Sequence, residues 1–304
     1  MPYVKGDYVW MDGSMVPWEN ATVHVMSHAL HYGTAAFEGI RAYPSGEQMY
    51  VFRLSDHLRR LLNSCKIFGF DLKYGVDELS RATVETVRKN NLHGKCYIRP
   101  LVYVGFGGIG INFTGFPIQT AILAFPYERY FKKDGVSAMV STWRRTSDQT
   151  GSPLAKISGQ YTNSVLGKME AVKHGFDECI MLDLNGKVSE GSGENLFLVE
   201  GGKLVTPSLS SSILGGITRL SVMEMAAGMG ITTVERDVSR SELYVADEVF
   251  YSGTAAEITP VVSVDGRSVG NGQVGPLTSK VRSAFQKAVA GEDPRYVSWV
   301  TPVY

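Results

Sequence analysis

The sequence predicts an α+β protein with mostly antiparallel strand pairing. Three observations predict it: two-residue hairpin turns recur along the chain, amphipathic helices are interleaved with them, and strict strand–helix alternation is missing. A doubly wound parallel fold is therefore disfavoured. The 304 residues suggest two domains, each large enough for its own core. Apolar residues make up 44% and charged residues 20%, an ordinary globular balance. Lys+Arg and Asp+Glu each total 30, so there is no basic excess of the kind a nucleic-acid binder carries. No stretch approaches the roughly 18 consecutive apolar residues of a membrane span. The start MPYVKGDYVWMDG lacks the basic and apolar regions of a secretory signal. Cys65, Cys96 and Cys179, odd in number and without a CxxC, read as reduced thiols of a cytosolic protein.

The elements follow in order. YVWMDGSMV turns at Asp12-Gly13 between two short apolar segments. Ser55 is the expected cap of a helix carrying Leu58, Leu61, Leu62 and Cys65 on one face. Asp77 is the expected cap of a second helix, stopped after Arg88 and Lys89 by Asn90-Asn91. Strands Cys96–Val104 and Ile118–Phe125 flank the glycine-rich GFGGIGINFTGF. PYERYFKKDG reads as an interdomain connection leading into the strand VSAMVSTW. A helix is expected from Ser158 to His174, then hairpins turning at Asn185-Gly186, Gly201-Gly202 and Asp265-Gly266. Two further helices, Ile217–Met229 and Leu277–Ala290, each stop at a glycine. The division expected is 1–125, a connection over 126–137, and 138–304.

Several segments carry chemistry. GFGGIG follows a strand, but Pro117 and the absence of a following helix remove the helix N-terminus that a dinucleotide pyrophosphate needs. A loop between two strands is the better reading, and such a loop can line a substrate pocket. His24, His28 and His31 have no acidic or thiol partner nearby, so packing and hydrogen bonding suit them better than metal binding. Lys156 lies among small residues just before a helix. An apolar setting can turn a lysine into an amine nucleophile, although on Lys156 alone a solvated surface lysine is the simpler reading. SEGSGENLF sets Glu190 and Glu194 in a turn before an apolar strand, suited to a supported carboxylate or to a plain turn. LGGITR places Ile217 and Thr218 at a helix start that favours a phosphate, or is simply capped. SGTAAEITP is a second candidate anion loop. Jointly, an amine, a carboxylate and two phosphate-type loops are the parts of a pyridoxal phosphate site.

HALHYGTAAFEGIR, YIRPL, the Lys156 segment, SEGSGENLF, LGGITR and SGTAAEITPV, in this order, closely resemble the branched-chain aminotransferases of the fold-type IV pyridoxal phosphate enzymes. The resemblance runs from about Tyr8 to the last helix. It implies a small N-terminal α/β domain, a larger C-terminal pseudo-barrel domain and cofactor in the cleft. It also implies pyridoxal 5′-phosphate as cofactor and a homodimer as the minimal unit. The activity implied is transamination of leucine, isoleucine and valine with 2-oxoglutarate, by a ping-pong route through an internal aldimine and pyridoxamine phosphate. Partners would be small amino acids and 2-oxo acids, with no nucleic acid and no membrane, in the cytoplasm. The alternatives of the same fold are a D-amino acid or (R)-amine aminotransferase, or aminodeoxychorismate lyase. YIRP and FEGIR favour the branched-chain reading. A non-enzymatic pyridoxal phosphate carrier, or a plain α+β binding protein, would keep the fold but not need Arg99 and Tyr97 together.

Residue by residue, the resemblance makes Lys156 the cofactor-bonding lysine and proton carrier. Glu190 would pair with the pyridine nitrogen, and Tyr161 would hydrogen-bond the ring oxygen. Arg53, Ile217, Thr218 and Thr254 would hold the phosphate. Tyr32, Phe37, Ile109, Ile111, Tyr127 and Tyr130 would line the aliphatic side-chain pocket. Tyr97, with the backbone at Thr254 and Ala255, would receive the α-carboxylate, and Arg99 the distal carboxylate of glutamate. Arg41 reads as a structural or rim charge.

Overall fold

Turn chemistry sets much of the strand pairing in the computed structural model, which describes residues 4–128 and 130–304. Asp12 and Gly13 both take positive φ, the pair of values a tight primed hairpin turn requires, and Tyr8–Met11 pairs with Ser14–Pro17 across them. The turns at Gly186, Gly201-Gly202 and Asp265-Gly266 likewise join antiparallel neighbours.

The chain forms two compact units. The first comprises Met1–Glu128, Ala155–Gln160 and Lys287–Tyr304. Its eight-stranded sheet runs in the order Val300–Pro302, Gln48–Phe52, Ile40–Ser45, Cys96–Val104, Ile118–Pro126, Tyr8–Met11, Ser14–Pro17, with Ala35–Phe37 also on Cys96–Val104. Every pairing in it is antiparallel. Helices Leu54–Phe68 and Val76–Lys89 bury Leu58, Leu61, Cys65, Leu79 and Val87 against Ile40, Val51, Ile98 and Ile122 of the sheet. Each fully buried leucine contributes roughly 1.5–3 kcal/mol.

The second unit comprises Arg129–Leu154 and Tyr161–Gln286. Its nine-stranded sheet is ordered Val188–Gly191, Glu178–Leu182, Val136–Arg144, Glu257–Val264, Glu248–Gly253, Asn195–Glu200, Lys203–Thr206, Thr233–Glu235, with Arg267–Ser268 on Glu257–Val264. Val136–Arg144 pairs in parallel with both neighbours, and Lys203–Thr206 with Thr233–Glu235; the other pairings are antiparallel. Val140, Ile180, Leu196, Val249, Tyr251 and Val261 belong to its core.

Four expectations need correction. The helix assigned a Ser55 cap starts at Leu54, and its cap is Arg53 in a left-handed conformation. The helix assigned an Asp77 cap starts at Val76, capped by Gly75, whose N–H donates to Glu78 at 3.0 Å; Asp77 lies inside the first turn, where its charge still favours the helix dipole. Ser158–Gln160 is a single 3-10 turn, and the regular helix is Tyr161–Lys173. The 138–304 division also differs from the compact units, because Ala155–Gln160 and Lys287–Tyr304 group with the first. The cause is local pairing: Ile157 bridges to Ala36, and Val300–Pro302 adds an edge strand beside Gln48–Phe52.

Candidate active site

Lys156 is fixed through its backbone. Its N–H donates to Ser64 Oγ at 2.9 Å, and its carbonyl accepts from Phe37 N–H at 3.0 Å. Ser64 in turn donates to the Arg60 carbonyl at 2.9 Å. Gly33 makes this docking possible, because a Cβ there would meet Gly159 Cα at 2.5 Å. The Lys156 Nζ lies 5.1 Å from the centre of the Phe37 ring, and the Arg99 guanidinium lies 4.7 Å from the same ring. Arg99 also donates to the Tyr97 hydroxyl at 3.0 Å; the two residues alternate along one strand and so share a face. Lys156, Phe37, Tyr97 and Arg99 thus meet in the first unit, an amine and a guanidinium sharing one aromatic wall.

Behind this wall sits a charged group that sequence reasoning missed. Glu38 is fully buried and accepts from Arg60 at 2.6 and 2.8 Å and from His57 Nδ1 at 2.7 Å. Burial alone would push its carboxyl up, but Arg60 and His57 outweigh that and hold it well below the usual carboxylate range. Burial pushes the His57 ring down despite Glu38, and the positive charge of Lys156 adds to the effect. The only sequence signal was an acidic residue between Phe37 and Gly39 in an otherwise apolar run.

Arg53 is buried with φ +51°, an unusual conformation for an arginine, and such outliers cost on the order of 1 kcal/mol or more. Its guanidinium lies 4.5 Å from the Trp299 ring centre and pairs with Asp56 at 2.6 Å, while its N–H donates to the Trp299 carbonyl at 2.6 Å. The backbone strain fixes where a buried cation sits at a helix start. Arg41, expected as a structural or rim charge, is buried, donates to the carbonyls of Tyr127 and Glu128, and lies over the rings of Tyr43 and Tyr127.

In the second unit Glu190 is buried and fully engaged. It accepts from Arg145 Nε at 2.7 Å, from Asn195 Nδ2 at 2.8 Å and from the Leu214 N–H at 3.0 Å. Arg145 and Asn195 were not anticipated, although Asn195 stands beside Glu194 in the quoted motif. Asn195 also donates to the Leu214 carbonyl and presses on Gly216, where a Cβ would lie 1.9 Å from its Oδ1. Gly216 caps the helix Ile217–Gly228, placing Ile217 and Thr218 in the first turn, where backbone N–H groups and the helix dipole favour an anion. Thr254 and Ala255 occupy the turn between Glu248–Gly253 and Glu257–Val264. That turn adjoins the Glu190 motif, since a Cβ on Gly253 would touch Glu194 Cγ at 3.3 Å. Glu194 itself is fully buried with a Gly193 N–H at 3.1 Å; burial and the charge of Glu178 push its carboxyl up to about 8.

The remaining candidates are less tightly built. Tyr32 and Tyr130 are exposed, Tyr127 and Tyr161 half-buried, and Tyr127 packs on the Tyr97 ring. Ile109 and Ile111 are 79% and 84% exposed on the glycine-rich loop. The histidines have the packing and hydrogen-bonding roles expected of them: His24 stacks on Phe106, His31 Nε2 meets the Val25 carbonyl, and His28 is bonded through both ring nitrogens. Cys65, Cys96 and Cys179 are free and buried, and burial raises the thiols of Cys65 and Cys96 to about 12. Among the described residues no helix is long and apolar enough to cross a membrane.

Comparison with known proteins fits this arrangement. The Amino-transferase class IV family matches residues 35–264. The branched-chain-amino-acid aminotransferase of Salmonella typhimurium is 49% identical over 304 residues, covering 98% of each chain. The Escherichia coli branched-chain amino acid aminotransferase structure matches with a TM-score of 0.96 at 48% identity, covering 99% of this chain and 100% of that one. The branched-chain amino acid aminotransferase of Thermobaculum terrenum, solved in its PLP-form, matches with a TM-score of 0.94 at 38% identity, covering 99% of each chain. The chain belongs to the class IV aminotransferases and, among them, to the branched-chain-amino-acid aminotransferases.

Proposed function

We propose that this transaminase moves the amino group of branched-chain L-amino acids to 2-oxoglutarate, using pyridoxal 5′-phosphate. The observation that carries the reading is the Lys156–Phe37–Arg99–Tyr97 cluster, an amine and a carboxylate-binding guanidinium set against one apolar face. The donor set fits the cofactor: a lysine amine, a glycine-capped helix start with a buried arginine elsewhere for a dianion, and a buried carboxylate for a ring nitrogen. When bound, the cofactor supplies an aldehyde that joins amines and an electron sink for charge developing at the substrate Cα.

The residues then divide the work. Lys156 Nζ would bond the aldehyde and, once displaced by substrate, take the Cα proton. Glu190 would keep the ring nitrogen protonated; Arg145 and Asn195 hold it in place. Arg53, Ile217, Thr218 and Thr254 would bind the phosphate, and Tyr161 the ring hydroxyl. Tyr97 with the Thr254–Ala255 backbone would orient the α-carboxylate. Phe37, Tyr32, Ile109, Ile111, Tyr127 and Tyr130 would accept an aliphatic side chain. Arg99 would receive the distal carboxylate of glutamate, so one mostly apolar pocket serves both substrates. A cytoplasmic homo-oligomer, at least a dimer, completes the proposal; three buried, unpaired thiols suit a reducing compartment.

The test is optical. Holoenzyme mixed with L-leucine should lose its visible cofactor absorbance and regain it on adding 2-oxoglutarate. D-Alanine and (R)-1-phenylethylamine should leave the spectrum unchanged. A response to either of these, with none to L-leucine, rejects the branched-chain reading.

A further inference from the structure

The histidine motif before Tyr32 has contacts that the proposed roles leave unused. His28 is buried in the first unit with both ring nitrogens engaged. Its Nε2 lies 2.8 Å from the Gly110 carbonyl, which can only accept, so Nε2 carries the proton. Its Nδ1 lies 2.7 Å from the Thr34 hydroxyl, so the ring is hydrogen-bonded on both sides. The Gly110 N–H donates to the Tyr32 hydroxyl at 3.3 Å. Gly110 is therefore held by both its N–H and its carbonyl from one short helix, His28–Tyr32. The His28 backbone N–H adds a third tie, to the Gly105 carbonyl at 3.1 Å where the loop begins.

Side-chain packing repeats the pattern. The His28 ring meets Phe113 and Phe116 edge-on at 5.8 and 5.7 Å, and both phenylalanines pack against the core of the first unit. The loop is thus anchored at Gly105, Gly110, Phe113 and Phe116. The two isoleucines on either side of the clamped glycine nevertheless face solvent almost completely. Ordering a glycine costs more backbone entropy than ordering any other residue. Holding one rigid between two exposed apolar side chains gains nothing for the core, but it fixes where those side chains stand.

The geometry points to His28 as a positioning residue for selectivity, with Tyr32 and Thr34 as its partners. By clamping Gly110, it sets Ile109 and Ile111 as a fixed apolar wall against the substrate side chain. This rests on the proposed reading in which those isoleucines line the aliphatic pocket. A wall held by hydrogen bonds rather than by packing tolerates loss of the bonds without collapse of the fold, while its position blurs.

His28→Phe keeps an aromatic ring against Phe113 and Phe116 and removes both ring hydrogen bonds. Its kcat/KM for L-leucine relative to L-2-aminobutyrate should fall about tenfold, the scale on which pockets discriminate methylene groups. His28→Gln restores a donor towards Gly110 and should recover the ratio to within about threefold of the wild type. Limited proteolysis should cut the Gly105–Pro117 segment faster in His28→Phe than in the wild type. An unchanged selectivity ratio in His28→Phe, or no recovery in His28→Gln, overturns the selectivity role. Equal cutting rates overturn the clamp itself. If the wild type shows no response to L-leucine the branched-chain reading fails instead, and proteolysis still decides the clamp independently.

Discussion

Two fully buried glutamates, Glu38 in the first unit and Glu194 in the second, show how differently the same side chain can be held. Glu38 has a guanidinium and an imidazole N–H on its oxygens and is held ionised far below the usual range. Glu194 has one backbone N–H and the charge of Glu178 nearby, and is pushed up to about 8. Both are buried, so partners decide the charge. The first unit keeps a permanent ion pair behind Lys156; the second keeps a proton on a carboxyl next to the Glu190 motif. Cations bonded to its oxygens keep Glu38 charged, whereas the charge of Lys168 does not offset burial and Glu178 at Glu194.

The largest expected effect lies on the reacting amine in front of the ion pair. Lys156→Ala should reduce turnover by at least about a thousandfold and remove the visible absorbance of covalently held cofactor. Normal turnover in that variant would remove Lys156 from the chemistry and leave Glu38 guarding nothing. Next in size, Glu38→Ala strands Arg60 and His57 in the interior and should cost about 3–5 kcal/mol in urea unfolding. The sign of the pH effect follows from the lowered carboxyl. Its contribution is fully present above the unfolded value of 4.5 and is lost as pH falls through the lower folded value. A variant within about 1 kcal/mol of the wild type at neutral pH would show that the pair is not what holds this region.

Arg99→Ala should come third, with about a hundredfold loss in kcat/KM for glutamate and a much smaller loss for leucine. Single-turnover measurements of the two half-reactions separate these, and equal losses would deny Arg99 its selective role. The last contrast is read as a slope in pH and belongs to Glu194. Its folded value is raised, so its contribution to stability is fully present below 4.5 and is lost as pH rises from there to about 8. Glu194→Gln, which mimics the protonated form, should flatten that decline, worth on the order of a few kcal/mol over the window. A wild-type stability rising across the same interval would break the contrast with Glu38.

Much of the fold was legible because turns and helix stops are local chemistry. Asp12-Gly13, Gly186, Gly201-Gly202 and Asp265-Gly266 turn where glycine and small polar residues permit positive φ. Helix starts were less legible: Arg53 caps where Ser55 offered a better side chain because it is tied to the distant Trp299, and Gly75 caps ahead of Asp77 because Glu78 reaches back to its N–H. The motifs named the candidate residues but not their supports. Glu38, His57, Arg60 and Arg145 bond to partners between 19 and 45 residues away, and apart from the apolar run around Glu38 nothing local distinguishes them from surface charges. Ala155–Gln160 could not be assigned to the first unit from sequence, because its membership depends on distant partners: Gly33, Ala36, Phe37 and Ser64.

The discontinuity of the first unit has a consequence for the order of folding. Its edge strand Val300–Pro302 must find Gln48–Phe52, and Tyr304 N–H bonds Gln48 across 256 positions of sequence. During synthesis that edge stays open until nearly the whole chain has been made, with the backbone groups of Gln48–Phe52 exposed to any passing strand. The stretch Leu54–Lys89, whose helices contact each other locally, can form early by comparison. Assembly of the lysine-bearing unit is thus a late event by topology, and the open sheet edge is where misassembly would begin.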